Sequence, residues 1–200
     1  MAKIITKEFK PDIRPVFRIE ISAYTKMLMY VSFCESELAW HGFVTRGAGR
    51  KAHVFTLHDV FLFPQKANYT YCKIEEDYYN WYEKNIAQDT ERAEQCRFFG
   101  HKHPGCNVNP SDGDKAYYAY QVRDFAEYSD EYYIFIIMNQ ADKFDLQIFD
   151  YKNMVWYGTK DIDSKIVKDS NNAVQFTADD MRKEIKDNVF YGAYRYSCYG

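Results

Sequence analysis

Apolar and polar residues alternate over residues 17–21, the period of a half-buried strand, and the period then lengthens. From Ser22 the apolar positions Ala23, Met27, Tyr30 and Val31 share one helical face, with Ser22 as the expected N-cap and an end near Cys34. Residues 38–44 read as a strand, and a Gly-rich turn at 46–50 joins it to a second at 54–63, dense in β-branched and aromatic side chains and stopped by Pro64. A short extended piece at 69–74 leads into a predicted helix at 75–86, on which Tyr78, Trp81, Tyr82 and Asn85 share a face. Residues 94–99 then read as a strand. From Ser111 the positions Ala116, Ala119, Tyr120 and Arg123 suit a helix running to about residue 126.

The run at 132–138 is almost wholly apolar, as a strand covered on both faces would be, and 144–149 follows it across a turn at 139–143. Residues 154–157 add a candidate edge strand, 158–172 are polar and loop-like, and Thr177 with Asp180 forms a capping box for a helix to about 188. The chain ends in a Tyr-rich segment. The order β-α-β-β-β-α-β-α-β-β predicts an α/β (mixed α+β) fold, a central mixed sheet flanked by helices. We expect a main domain over residues 1–155 and a Tyr-rich appendage, residues 156–200, packed on it.

A chain of 200 residues is long enough to bury a real core, and 46% hydrophobic against 28% charged residues argues against disorder. A net charge of −3 provides no basic field for phosphate backbones, so nucleic acid is not an expected partner. No apolar run reaches membrane-spanning length, and the N-terminus lacks the apolar stretch of a secretory signal. Five scattered cysteines without a CxxC pair read as reduced thiols, and a cytoplasmic protein without membrane contact is expected.

The stretch Gly100 to Asp114, GHKHPGCNVNPSDGD, concentrates the candidate chemistry. Two histidines one residue apart on extended backbone point to the same side and can offer two imidazoles to one ion. Asp114, eleven residues after His103 and in the first turn of the predicted helix, could return a carboxylate to the same point. Two imidazoles and one carboxylate leave zinc's fourth position open, which separates a catalytic site from a closed structural one. The plainer alternative is a solvent-facing histidine pair in a polar loop. His41, His53 and His58 read as packing or surface residues. A Cys106 thiolate would close the site and so is not expected as a fourth ligand. The aromatic clusters around Tyr78 to Tyr82 and at Tyr117 and Tyr118 are either a groove for an extended peptide or half core and half surface.

His101-x-His103-Pro104, six residues, then Ser111-x-x-Asp114 resembles the signature of the JAMM (MPN+/JAB) metalloproteases, with Lys102 departing from the small hydroxylated residue usual between the histidines. The resemblance covers about residues 17–150. It includes Glu37 before Ala39-Trp40-His41-Gly42, the strand exit Phe63-Pro64-Gln65, and the strand from Ile134 to Asn139. Glu35, at the expected helix end, competes with Glu37 for the glutamate's role. The resemblance implies Zn²⁺ held by His101, His103 and Asp114, with Glu37 as general base and Ser111 assisting the oxyanion. It also implies a peptide or ubiquitin-like protein substrate. Only seventeen residues separate Asp114 from Tyr132, which leaves no room for a long modifier-gripping insertion and favours the bacterial or phage type. The alternative is a non-catalytic JAB-like scaffold module of a phage or multi-protein assembly. Retention of a general base beside three ligands favours the enzyme.

Overall fold

The computed structural model describes residues 14–125, 131–170 and 175–191. In chain order the first half contains β1 (Val16–Glu20), α1 (Ile21–Phe33), β2 (Leu38–Arg46), β3 (Val54–Phe61), β4 (Gln65–Ala67) and β5 (Cys72–Ile74). Two short helices follow, α2 (Tyr78–Tyr82), continued by a π-helical turn to Ala87, and α3 (Thr90–Gln95). Next come β6 (Cys96–Lys102), α4 (Asp112–Phe125), β7 (Tyr132–Met138), β8 (Phe144–Asp150) and β9 (Val155–Tyr157). Last are β10 (Asp163–Val167), α5 (Ala178–Asn188) and β11 (Val189–Tyr191).

Among the described residues eight strands form one mixed sheet, in the order β10-β1-β3-β2-β6-β7-β8-β9, and three form a small sheet, β11-β4-β5. The fold is a mixed α+β one, a central sheet flanked by helices, as the order of elements predicts. Among the described residues no helix is long and apolar enough to cross a membrane.

The apolar strand β7 is buried along its whole length, which is why its sequence shows no alternation. Ile134, Ile136 and Met138 point to one face and join Phe17, Trp40 and Leu57 beneath Met27 and Tyr30 of α1 and Met181 and Ile185 of α5. Tyr133 and Phe135 point to the other face and pack with Phe99, Phe149 and Tyr118 of α4. The Tyr118 and Phe135 rings stack with centroids 4.0 Å apart, which seats α4 on the sheet.

Several local expectations are corrected. Ser22 lies inside the first turn of α1 rather than capping it, and its amide donates to Asp169 Oδ1 at 2.8 Å. The cap is therefore supplied across 147 residues of chain. Residues 75–86 are not one helix, since helical structure begins at Tyr78, and the strand expected from 94 begins at Cys96. Asp89 explains the second shift: its carboxylate accepts from the Arg92 amide at 3.2 Å and starts α3 on a run of good helix formers. The polar stretch 158–172 is not only loop, because its strand β10 pairs in parallel with β1 at the sheet edge. Four of its five residues are exposed, so it carries no apolar periodicity to read. Residues beyond 155 thus contribute to the central sheet, while α5 packs on α1 and β11 pairs with β4. The Thr177 and Asp180 capping box is present. The Tyr-rich end, residues 192–200, lies outside the described residues.

The pairing of Trp40 with Gly100 sets a tight constraint. A Cβ at Gly100 would run into the Trp40 indole and lie 2.9 Å from Ile136 Cγ2. Gly100→Ala is expected to cost about 1–3 kcal/mol in denaturant unfolding. Gly105→Ala, where nothing lies within 4 Å of the added carbon, should stay within about 0.5 kcal/mol of the parent chain.

Candidate metal centre

β2 and β6 run antiparallel with Leu38 opposite Lys102 and Ala39 opposite His101. Glu37 immediately precedes β2 and His103 immediately follows β6, so the same register carries both side chains to one end of the pair. His101 lies on the face that carries α4, and His103, two residues on, returns to that face. Asp114 reaches the histidines from the first turn of α4. Ligand atoms of Glu37, His101, His103 and Asp114 all lie within 4.8 Å of one another, a group that could hold a metal ion. Glu35 is exposed and outside this group, and Cys106 is an exposed free thiol also outside it.

His101 Nε2 lies 3.1 Å from Asp114 Oδ1, His103 Nε2 3.3 Å from Asp114 Oδ2, and the two Nε2 atoms are 3.1 Å apart. His103 Nδ1 faces the Asn107 carbonyl at 3.1 Å, and a carbonyl only accepts, so Nδ1 carries a proton. In neutral His103 the remaining nitrogen then turns a lone pair toward a carboxylate and a second imidazole. A proton or a metal ion at the centre satisfies these lone pairs, and the donor set of two imidazoles and a carboxylate fits a metal ion. His101 Nδ1 is buried and without a hydrogen-bond partner.

The electrostatics agree with this clustering. Burial pushes the Glu37 carboxyl up, and with Asp114 nearby it reaches about 7 despite the opposing pull of His103. Burial would also raise Asp114, yet hydrogen bonds from His101, His103 and Ser111 outweigh it and hold this carboxyl well below the usual range. The Asp114 hydrogen bond raises His103, whereas burial lowers His101.

Ser111 caps α4. Its amide and its hydroxyl both donate to Asp114 Oδ2 at 2.7 Å, and its Oγ accepts from the Asp114 amide at 3.1 Å. This reciprocal arrangement holds the Asp114 carboxylate toward the histidines. The hydroxyl proton is committed to Asp114 and would have to swing away to serve an oxyanion.

Lys102 occupies the opposite face of the sheet. It is fully buried, and its Nζ donates to the carbonyl of Cys34 at the C-cap of α1, where a cation meets both an orphan carbonyl and the negative helix end. Burial pushes its ammonium pKa down against the favourable charge of Glu35. The residue that departs from the signature therefore ties β6 to α1 and leaves the histidine face untouched.

Two side-chain amides and one backbone carbonyl support the site in ways the sequence reading does not anticipate. Gln65 is fully buried beside β2 where β3 has ended; its Oε1 accepts from the Ala39 amide at 2.8 Å and its Nε2 donates to the Ala39 carbonyl at 2.7 Å. A side-chain amide thus replaces a missing strand partner two residues from Glu37. The Asn68 carbonyl accepts from the Glu37 amide at 2.8 Å. Asn139, buried at the end of β7, donates to the Cys106 carbonyl at 2.8 Å and clasps the histidine loop. An amide directly after a strand-ending proline, or directly after an apolar run, was the available signal. His41 is a packing residue: buried, ringed by Phe63 and Phe99, bonded to the Tyr78 hydroxyl at 2.8 Å, and lowered by burial to about 4.

A cavity of about 490 Å³ opens beside the four residues, lined by Glu37, His101 and Asp114 and by Cys72, Lys73 and Ile74 of β5. Comparison with family models and with curated proteins gave no match. Among solved structures, the solution structure of protein DSY2949 from Desulfitobacterium hafniense is similar over 80% of this chain and 99% of its own, at 12% identity and a TM-score of 0.46. A likeness of that size bears on neither chemistry nor partners.

Glu37 gives a pH test on metal-free protein. Below about pH 4.5 the carboxyl is protonated in folded and unfolded chains alike. As the pH rises toward 7 only the unfolded chain ionises, so folding loses stability across that window. Glu37→Gln should therefore match the parent near pH 4 and exceed it by about 1–2 kcal/mol above pH 7, a figure reduced for the solvent reaching this half-buried group. Chemical unfolding at both pH values checks it.

Proposed function

We propose that this chain is a zinc-dependent metallopeptidase of the JAMM type, a hydrolase that cleaves a peptide or isopeptide bond. The observation that carries the reading is the convergence of Glu37, His101, His103 and Asp114 beside an open cavity, on residues spaced as in the JAMM signature. His101, His103 and Asp114 would hold the ion, which when bound supplies Lewis acidity and acidifies a water molecule.

Glu37 would accept the proton of the attacking water and deliver it to the leaving amine, a base and then an acid. Ser111 turns its hydroxyl from Asp114 to the oxyanion, a donation worth about 2.7–4 kcal/mol in comparable sites. The substrate is an extended peptide or the tail of a ubiquitin-like protein. Among the described residues β5 is the last strand of its sheet, and it lines the cavity, so a substrate strand can add there by main-chain hydrogen bonds. The free thiols of Cys34, Cys72, Cys96 and Cys106 suit a reducing, cytoplasmic setting.

Elemental analysis of the purified chain should find about one zinc per molecule, lost in His103→Ala and Asp114→Ala. Glu37→Gln should keep the zinc and lose hydrolysis of peptide and ubiquitin-like fusion substrates by about 10²–10⁴-fold, while Glu35→Gln changes neither. Full activity in Glu37→Gln would overturn the mechanism. Zinc binding without hydrolysis of either substrate class would favour the scaffold alternative.

A further inference from the structure

A second, larger cavity of about 720 Å³ adjoins the candidate centre, and Ile74 and Tyr117 line both. Its walls are unusual in composition. Six tyrosines surround it: Tyr78, Tyr79 and Tyr82 from the α2 side, Tyr117 and Tyr120 from α4, and Tyr133 from β7. Three carboxylates, Glu75, Glu76 and Asp124, also line it, against a single cation, Arg123. That cation is already engaged, with its guanidinium 5.3 Å from the Tyr120 ring centroid and its Nε 3.7 Å from Asp124 Oδ1. Glu75 is paired with Lys66 at 3.1 Å. Glu76 is exposed and makes no ion pair among the described residues. The Tyr117 hydroxyl is buried and has no hydrogen-bond partner among the described residues.

Aromatic faces, a spare carboxylate and an unpartnered hydroxyl together match one kind of occupant: a cation on an apolar stem. Ring faces attract the cation and pack the stem, the carboxylate neutralises the charge, and the hydroxyl oxygen accepts from its N–H groups. The position of Arg123 on Tyr120 shows that a guanidinium is compatible with this wall. An aromatic side chain would fill the space but leave Glu76 unpaired and bring no cation to the rings.

We propose that the tyrosine-walled cavity is a specificity pocket for a lysine or arginine side chain of the substrate, with Tyr117 and Glu76 contacting its charged head. Naming the ligand as substrate rests on the metallopeptidase reading; the recognition itself does not. Because Tyr117 and Ile74 border both cavities, a cationic residue seated here lies close in sequence to the bond presented to Glu37, His101, His103 and Asp114.

The test is a titration of full-length, isotope-labelled, metal-free protein with the pentapeptide Ac-Ala-Ala-Lys-Ala-Ala-amide, and with counterparts carrying arginine, norleucine or tyrosine at the centre, followed by amide shifts at residues 75–82 and 117–124. The lysine and arginine peptides should move these signals saturably and the norleucine peptide should not. Tyr117→Phe and the exposed Glu76→Gln should each weaken binding about five- to tenfold. Equal binding by norleucine, tighter binding by tyrosine, or no shifts at these residues would overturn the proposal. Repetition with zinc and with hydrolysis as readout separates the two readings. A chain that binds no zinc but prefers the lysine peptide keeps the pocket and loses the peptidase, whereas one that hydrolyses lysine and norleucine peptides equally loses the pocket alone.

Discussion

The antiparallel pairing of β2 with β6 sets Ala39 opposite His101 and Trp40 opposite Gly100, and the candidate centre depends on that register. A slip of one residue would turn His101 toward α1 and put a side chain where Trp40 needs the space above Gly100. The strand period of two does the rest: the histidines share the face of α4, and Lys102 between them serves the other face. Gln65 makes the register hold at the end of β2, where β3 no longer covers it. Without that amide the backbone beside Glu37 would carry buried, unpaired polar groups.

Two apolar layers keep the centre rigid from either side. On one face α1 and α5 cover Phe17, Trp40 and the even-numbered residues of β7; on the other, Tyr118 of α4 stacks on Phe135. The second contact fixes the height of α4, and the Ser111 cap fixes the angle at which Asp114 leaves its first turn. The carboxylate is therefore positioned by helix packing and helix capping, without a dedicated loop. Its hydrogen bonds also keep it ionised in a half-buried place, which a metal-binding carboxylate requires.

Legibility in the sequence followed the kind of force involved. Buried strands showed themselves through composition: β7, covered on both faces, as an unbroken apolar run, and β3 as a stretch dense in β-branched and aromatic residues. The Thr177 and Asp180 box was equally plain because a cap is local. The pairing of β10 with β1 left no trace, since an exposed edge strand needs only backbone hydrogen bonds. Asp169 capping α1 was hidden for a related reason: Ser22 was the nearer candidate, and nothing local says that a distant carboxylate will arrive first. α3 was missed because a six-residue helix is too short to show a face.

At the centre, the spacing of His101, His103, Ser111 and Asp114 marked out a candidate site, since strand alternation and the first turn of a helix constrain where neighbouring side chains go. Glu37 stood apart from these by more than sixty residues, and Glu35 fitted the local pattern almost as well. Only the tertiary structure brings Glu37 to the histidines and leaves Glu35 exposed, because that choice depends on which strand β6 pairs with and in what register. The sequence by itself determined the buried strands, the local caps and the donor types. The shared point at which the donors meet was decided by sheet pairing, which no local pattern encodes.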